Sequence, residues 1–177
     1  MSQVIAQQMN LYLLEIKDAV CAAVATQGKL INIWQNYNIY YKGWTLYVMY
    51  GDIHNPIGHI QMFIDTQQKK VCLDKIETKS EYRGYGIGQL LVTCCVLYAI
   101  HCGYKVRVDG NIVPAGEHFW RSLGLGEFDM PPRMVLDKIL DKQRNLADRL
   151  NCIVDPQAIL VQYNPVPHRS IFSFTLD

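Results

Sequence analysis

Arg83-Gly84-Tyr85-Gly86-Ile87-Gly88-Gln89 is the stretch of this chain best equipped for chemistry. Glycine lets a backbone approach a ligand closely and take dihedrals that other residues avoid. The segment follows a strand pattern ending at Thr78 and precedes an apolar run, Leu90 to Cys102, long enough for a buried helix. Strand, glycine loop and helix in that order can hold phosphate. N–H groups at the helix start face the anion, the helix dipole assists, and Arg83 adds a positive charge with forked donors. A glycine-rich turn that binds nothing is the alternative these residues leave open by themselves.

The register of the glycines narrows the ligand. A Walker loop requires Lys-Ser/Thr after its last glycine, whereas Gln89 and Leu90 follow Gly88. A dinucleotide fingerprint requires G-x-G-x-x-G, whereas the spacing here is G-x-G-x-G behind an arginine. Arg83-x-x-Gly86-x-Gly88 instead resembles the R/Q-x-x-G-x-G/A signature of the GNAT superfamily of N-acetyltransferases. Downstream, Phe119-Trp120-Arg121-Ser122-Leu123-Gly124-Leu125 resembles that family's second motif, an aromatic-tyrosine pair followed by Leu-Gly-Phe. A strand-like Tyr104 to Val108 lies between the two, and the resemblance extends roughly from Gly43 to Phe128.

The resemblance implies acetyl-CoA as co-substrate, with no metal, and transfer of acetyl to a primary amine of a small molecule or peptide. The loop Arg83, Gly84, Tyr85, Gly86, Ile87, Gly88 and Gln89 would take the pyrophosphate. Backbone groups of Ile76, Glu77 and Thr78 would bond the pantetheine arm like an added strand, and an N–H there would polarise the thioester carbonyl. The strand from Tyr104 would splay away and admit the cofactor. A general base must stand within hydrogen-bond or one-water reach of the amine. Glu77 is the first candidate and Asp109 the second, with Asp74 and His118 behind them; a water-bridged path with no single base is the other option. The family's second motif carries a tyrosine that protonates the leaving thiolate, and Trp120 stands there instead. An indole N–H is not a comparable acid. Three routes stay open: the thiolate leaves unaided, a nearby tyrosine or water substitutes, or the domain keeps the cofactor without catalysis, as a non-catalytic acyl-CoA-binding or protein-interaction module.

A chain of 177 residues, half of them hydrophobic, can fill the core of a single domain spanning residues 1–177. Only 19% are charged, which points to some apolar surface covered by a ligand or partner, a homodimer included. The net charge of +1 provides no global field for nucleic acid or an acidic membrane. Cysteines at 21, 72, 94, 95, 102 and 152 form no C-x-x-C pair or zinc spacing. They read as reduced, buried, small apolar residues of a cytoplasmic protein. Glu15, Lys17 and Asp18 interrupt the first apolar stretch, which therefore does not read as a signal peptide, and no run approaches a membrane span.

The elements that must position this chemistry follow from periodicity. Ile5, Met9, Leu13, Ile16, Val20 and Ala23 recur at helical steps, predicting an amphipathic helix from Ser2 to Thr26 that stops at Gly28. The aromatic stretch Leu30 to Tyr50 divides at Gly43 into two strands, with Asp52 to Pro56 as a turn and Gly58 to Thr66 as the next strand. Gln67 to Lys70 closes a second hairpin into the strand ending at Thr78. The tyrosines of this region could line an acceptor cleft. Pro114 to Ser122 and Arg133 to Leu150 read as helices, and Ile159 to Tyr163 and Ile171 to Leu176 as final strands. The fold class is α/β (α+β). It is a GNAT-like, mixed, mostly antiparallel central sheet flanked by helices, with an N-terminal helix and a C-terminal helix-plus-strands extension.

Overall fold

The computed structural model describes residues 16–28, 30–32, 37–50, 52–83, 86–110 and 112–150. Its centre is a six-stranded sheet in the order β1-β2-β3-β4-β5-β6, with β1 Leu30–Asn32, β2 Tyr37–Lys42, β3 Thr45–Tyr50, β4 Asp52–Asp65, β5 Lys70–Thr78 and β6 Lys105–Val108. Each pair from β1 to β5 is antiparallel, and only β5 and β6 run parallel. Between these two the chain crosses over through a short 3₁₀ turn, Ser80–Tyr82, and α2, Ile87–Cys102. Helix α1 occupies 16–25, α3 Pro114–Ser122 and α4 Pro132–Leu150.

Alternation assigns the two faces of the sheet. Ile39, Leu46, Val48, Ile60, Met62, Val71, Leu73, Val106 and Val108 are buried in one core with Leu90, Leu91, Cys94 and Cys95 of α2. Ile16, Val20 and Ala23 of α1 and Val135 and Ile139 of α4 join that core. Helix α2 is buried nearly all round, as its unbroken apolar run requires. Gly58 lets it start close to the sheet, since a Cβ there would lie 2.8 Å from Ile87 Cγ2. The opposite face carries Tyr40, Tyr47, His59 and Glu77, with Phe63 41% exposed.

Several expectations change. Leu30 to Tyr50 holds three strands rather than two, because Leu30–Asn32 pairs separately with β2. Asp52 to Pro56 is not a turn but the start of the long strand β4. Register shifts between Val48 and Tyr50 absorb Pro56, which lacks the N–H of an ordinary ladder position. The helix expected at Arg133 begins one residue earlier, with Pro132 at its first turn. Cys72, Cys94 and Cys95 are buried free thiols, whereas Cys21 and Cys102 are only half-buried. The expected helix residues 2–15, Cys152 and both final strands lie outside the described residues. Among those described, no helix is long and apolar enough to cross a membrane.

Leu73, fully buried, opposes Val108 at the last rung of the parallel pair. Leu73→Ala should cost about 2–5 kcal/mol in urea unfolding, the usual range for a truncated core leucine. Phe63→Ala, on the exposed face, should cost under about 1 kcal/mol. Comparable losses at both positions would contradict this division of the faces.

Candidate active site

Strand β5 has nine residues and β6 has four. Their pairing runs from Lys70↔Lys105 to Leu73↔Val108, closed by the Asp109 N–H donating to Leu73 O at 2.7 Å. Beyond that rung the chain turns away at Gly110, whose φ of 112° suits glycine. A Cβ on Gly110 would also strike the Asp74 carboxylate that packs over it. Among the described residues, the outer edge of β5 from Asp74 to Thr78 is therefore left without a neighbouring strand. A cleft of about 990 Å³ opens there.

The cleft crosses the plane of the sheet. On the helix side it is lined by Ile76, Thr78, Arg83, Gly88 and Phe119, and on the other by Gln61, Lys75 and Glu77. Val108, Asp109 and Trp120 also line it. At the helix-side mouth, Gly86 takes a left-handed conformation (φ 86°) as the N-cap of α2. The first helical bond runs from Leu90 N–H to Gly86 O at 2.9 Å, so the amides of Ile87 and Gly88 precede it. No carboxylate occupies the first turn of α2. That leaves the positive end of the dipole for an outside anion. A Cβ on Gly88 would sit 3.3 Å from the Phe119 ring. Arg83 Nε donates to Thr78 O at 3.2 Å, tying the loop to the end of β5. Gly84 and Tyr85 lie outside the described residues. The remaining features suit coenzyme A: an unpaired strand edge for an amide-bearing arm, and a helix start beside an arginine for its pyrophosphate.

The candidate bases differ sharply in surroundings. Glu77 is 53% exposed, with its Oε1 2.8 Å from Lys75 Nζ and its Oε2 3.7 Å from His59 Nε2. The Lys75 hydrogen bond, reinforced by the charges of Lys75, His59 and Arg83, holds the Glu77 carboxyl below the usual range despite slight desolvation. Asp109 also borders the cleft, but Arg107 grips it. Arg107 in turn reaches Asp129 at 3.6 Å, and Lys70 reaches Asp129 at 3.3 Å. Asp109 thus belongs to a four-charge cluster at the foot of the cleft. Asp74 lines the cleft over Gly110, whereas His118 is exposed on α3 and does not line it. Burial, with a hydrogen bond to Asp109 behind it, pushes the Cys72 thiol up to about 11, far from thiolate chemistry.

Trp120 is 4% exposed, its ring edge-on to Phe119 at 5.2 Å between centroids. It also borders a second cavity of about 740 Å³ with Leu125, Phe128 and Met130, and so stands as a wall between two spaces. Sequence reasoning did not single out His59, Gln61 or Lys75, and it named Phe119 only as part of the second motif. His59 was accessible in principle, because a hairpin closing near residues 66–69 places it opposite the end of β5.

A model of the acetyltransferase (GNAT) family matches residues 19–125. Among solved structures, the crystal structure of nourseothricin acetyltransferase is similar at 20% identity and a TM-score of 0.38. That match covers 49% of this chain and 48% of the other, so it spans about half of either protein. No curated protein matches the sequence.

Arg83 is tied to Thr78 O, and the expected role as anion partner is separable from that tie. Arg83→Ala should weaken CoA about tenfold or more, as expected for lost charge-assisted hydrogen bonds, while leaving pantetheine affinity unchanged. Calorimetric titration of both ligands checks this; equal losses would leave only the tie to the strand.

Proposed function

The chain belongs to the GNAT family of acetyltransferases, and from that premise we propose that it transfers acetyl from acetyl-CoA to a primary amine. The observation that carries this reading is the cleft through the sheet at the free edge of β5. A helix start fit for phosphates lies at one mouth and an ionised carboxylate at the other. Acetyl-CoA supplies an activated acyl carbon whose bond to sulfur breaks as the carbon–nitrogen bond forms. The β5 edge from Ile76 to Thr78 offers backbone groups to hold the arm and polarise its carbonyl. The loop through Gly86 and Gly88 holds the pyrophosphate.

Glu77 meets the acceptor. A free alkylamine arrives largely as ammonium, its pKa near that of lysine at about 10.4. A carboxylate held below its ordinary pKa is a weak proton sink, yet it is a constant counter-ion for that ammonium. Glu77 therefore anchors the amine and passes its proton to water, which the exposure of the side chain supports. Trp120 lines the cleft but gives no proton. A thiol leaves with a pKa of about 8.5, close to neutral pH, so its departure requires little acid assistance. That favours an enzyme without the usual tyrosine over a module that only binds acyl-CoA. The buried, free cysteines support a reducing compartment such as the cytoplasm.

Two outcomes follow. Trp120→Tyr should leave acetyl-CoA affinity nearly unchanged and raise turnover by no more than about tenfold, less than the roughly hundredfold a positioned acid typically supplies, because the thiol leaves with little assistance. Release of free CoA against a panel of amines measures it; no release above hydrolysis from either protein would leave only the binding module. The second outcome concerns pH. Glu77 is ionised above its depressed pKa, so its own contribution should be lost only as pH drops through that value, beneath the fall that protonation of the amine itself imposes at higher pH. Lys75→Met removes the main cause of the depression, so the acid limb of kcat/KM should move to higher pH. A limb that stays in place would separate Glu77 from the acceptor step.

A further inference from the structure

The sheet face away from the helices carries a row that no described part of the cofactor cleft requires. Register pairs Tyr40 with Tyr47, Tyr47 with His59 and His59 with Glu77, so four adjacent strands contribute one side chain each to the same face. The contacts are continuous: ring centroids lie 6.3 Å apart for Tyr40 and Tyr47 and 6.0 Å for Tyr47 and His59, and His59 Nε2 lies 3.7 Å from Glu77. The rings are half-buried rather than covered. One end of the row, at Glu77, opens into the cleft.

We propose that this row is the acceptor floor, and that the acceptor is a small primary amine joined by a short linker to a flat aromatic ring. The inference rests on the acetyl-transfer reading above. Tilted rings and an imidazole side by side offer π-faces to a flat body, and offset aromatic pairs gain beyond their buried area. The ammonium pairs with Glu77. From a ring lying over Tyr47 and His59, the nitrogen must cross about one strand spacing, roughly 5 Å, to reach Glu77, the span of a two-carbon linker. The row carries one carboxylate, already shared with Lys75 and His59, and Lys42 stands on the same face. That balance suits a single positive charge and disfavours a polyamine.

The test uses 2-phenylethylamine, n-butylamine and a lysine-containing hexapeptide. Calorimetry on protein saturated with CoA should show 2-phenylethylamine binding several-fold to about tenfold more tightly than n-butylamine. Tyr47→Phe keeps the ring and should keep the preference. Tyr47→Leu keeps bulk without the ring and should abolish it, with CoA affinity unchanged in both. Equal or absent binding of the two amines in wild type, or a preference that survives Tyr47→Leu, overturns the assignment. Release of CoA from acetyl-CoA separates the two claims. Acetylation of n-butylamine or the peptide without preference for the aromatic amine overturns the acceptor class and leaves the transferase standing. Selective binding of 2-phenylethylamine with no CoA release from any amine keeps the aromatic floor and removes the transferase.

Discussion

The parallel pairing of β5 with β6 stops at Leu73 and Val108, and the candidate site depends on that stop. A strand edge with unpaired backbone groups is a liability that proteins ordinarily cover. Here β5 runs on for five residues beyond its partner, and the Asp109-Gly110 turn carries the chain away before another rung can form. The gap lies between a firmly buried helix and an open sheet face, which makes it a passage rather than a pit. An extended, amide-rich ligand could complete the edge as a strand would. A phosphate at the start of α2 would meet amides that the helix does not use.

Charge divides the site in the same way. Lys70, Arg107, Asp109 and Asp129 neutralise one another at the foot of the cleft, where the two strands are still paired. Such a cluster fixes the point of divergence more readily than it exchanges protons, because each member has a committed partner. Glu77 sits past the divergence, with exposed Lys75 and part-buried His59 as partners. Sequence alone ranked Glu77 above Asp109 as a base by strand position; the structure shows how the partners of the two differ.

Much of the frame was legible because it rests on local signals. Pro114 and Gly124 bracket α3, Gly86 takes the left-handed turn, and the apolar run to Cys102 is a buried helix. What escaped depends on pairing between strands. Pro56 reads locally as a turn, yet it lies inside β4 because register shifts opposite Met49 absorb it. Leu30–Asn32 is too short to announce itself apart from its partner. His59 carries no motif of its own and gains meaning only from the residue beside it. Gly84 and Tyr85 cannot be compared, since they fall outside the described residues.

The identity of that neighbour turns on one residue. From Asp65↔Lys70 to Met62↔Leu73 the β4–β5 hairpin pairs without interruption, and continuing that register would set His59 against Ile76. Instead β5 carries one extra residue opposite Gln61, at Asp74 and Lys75, so that Ile60 meets Ile76 and His59 meets Glu77. A one-residue slip exchanges the faces of a strand. Without the bulge Glu77 would point toward α2, into apolar surroundings that oppose a charged carboxylate, and Ile76 would lie on the open face. With it, Ile76 packs against the core and Glu77 joins the aromatic row at the mouth of the cleft. The same insertion falls directly after Leu73, where the pairing with β6 ends, the kind of position at which a bulge re-aims a strand. One irregularity therefore decides which carboxylate borders the cleft that the Asp109-Gly110 turn leaves open.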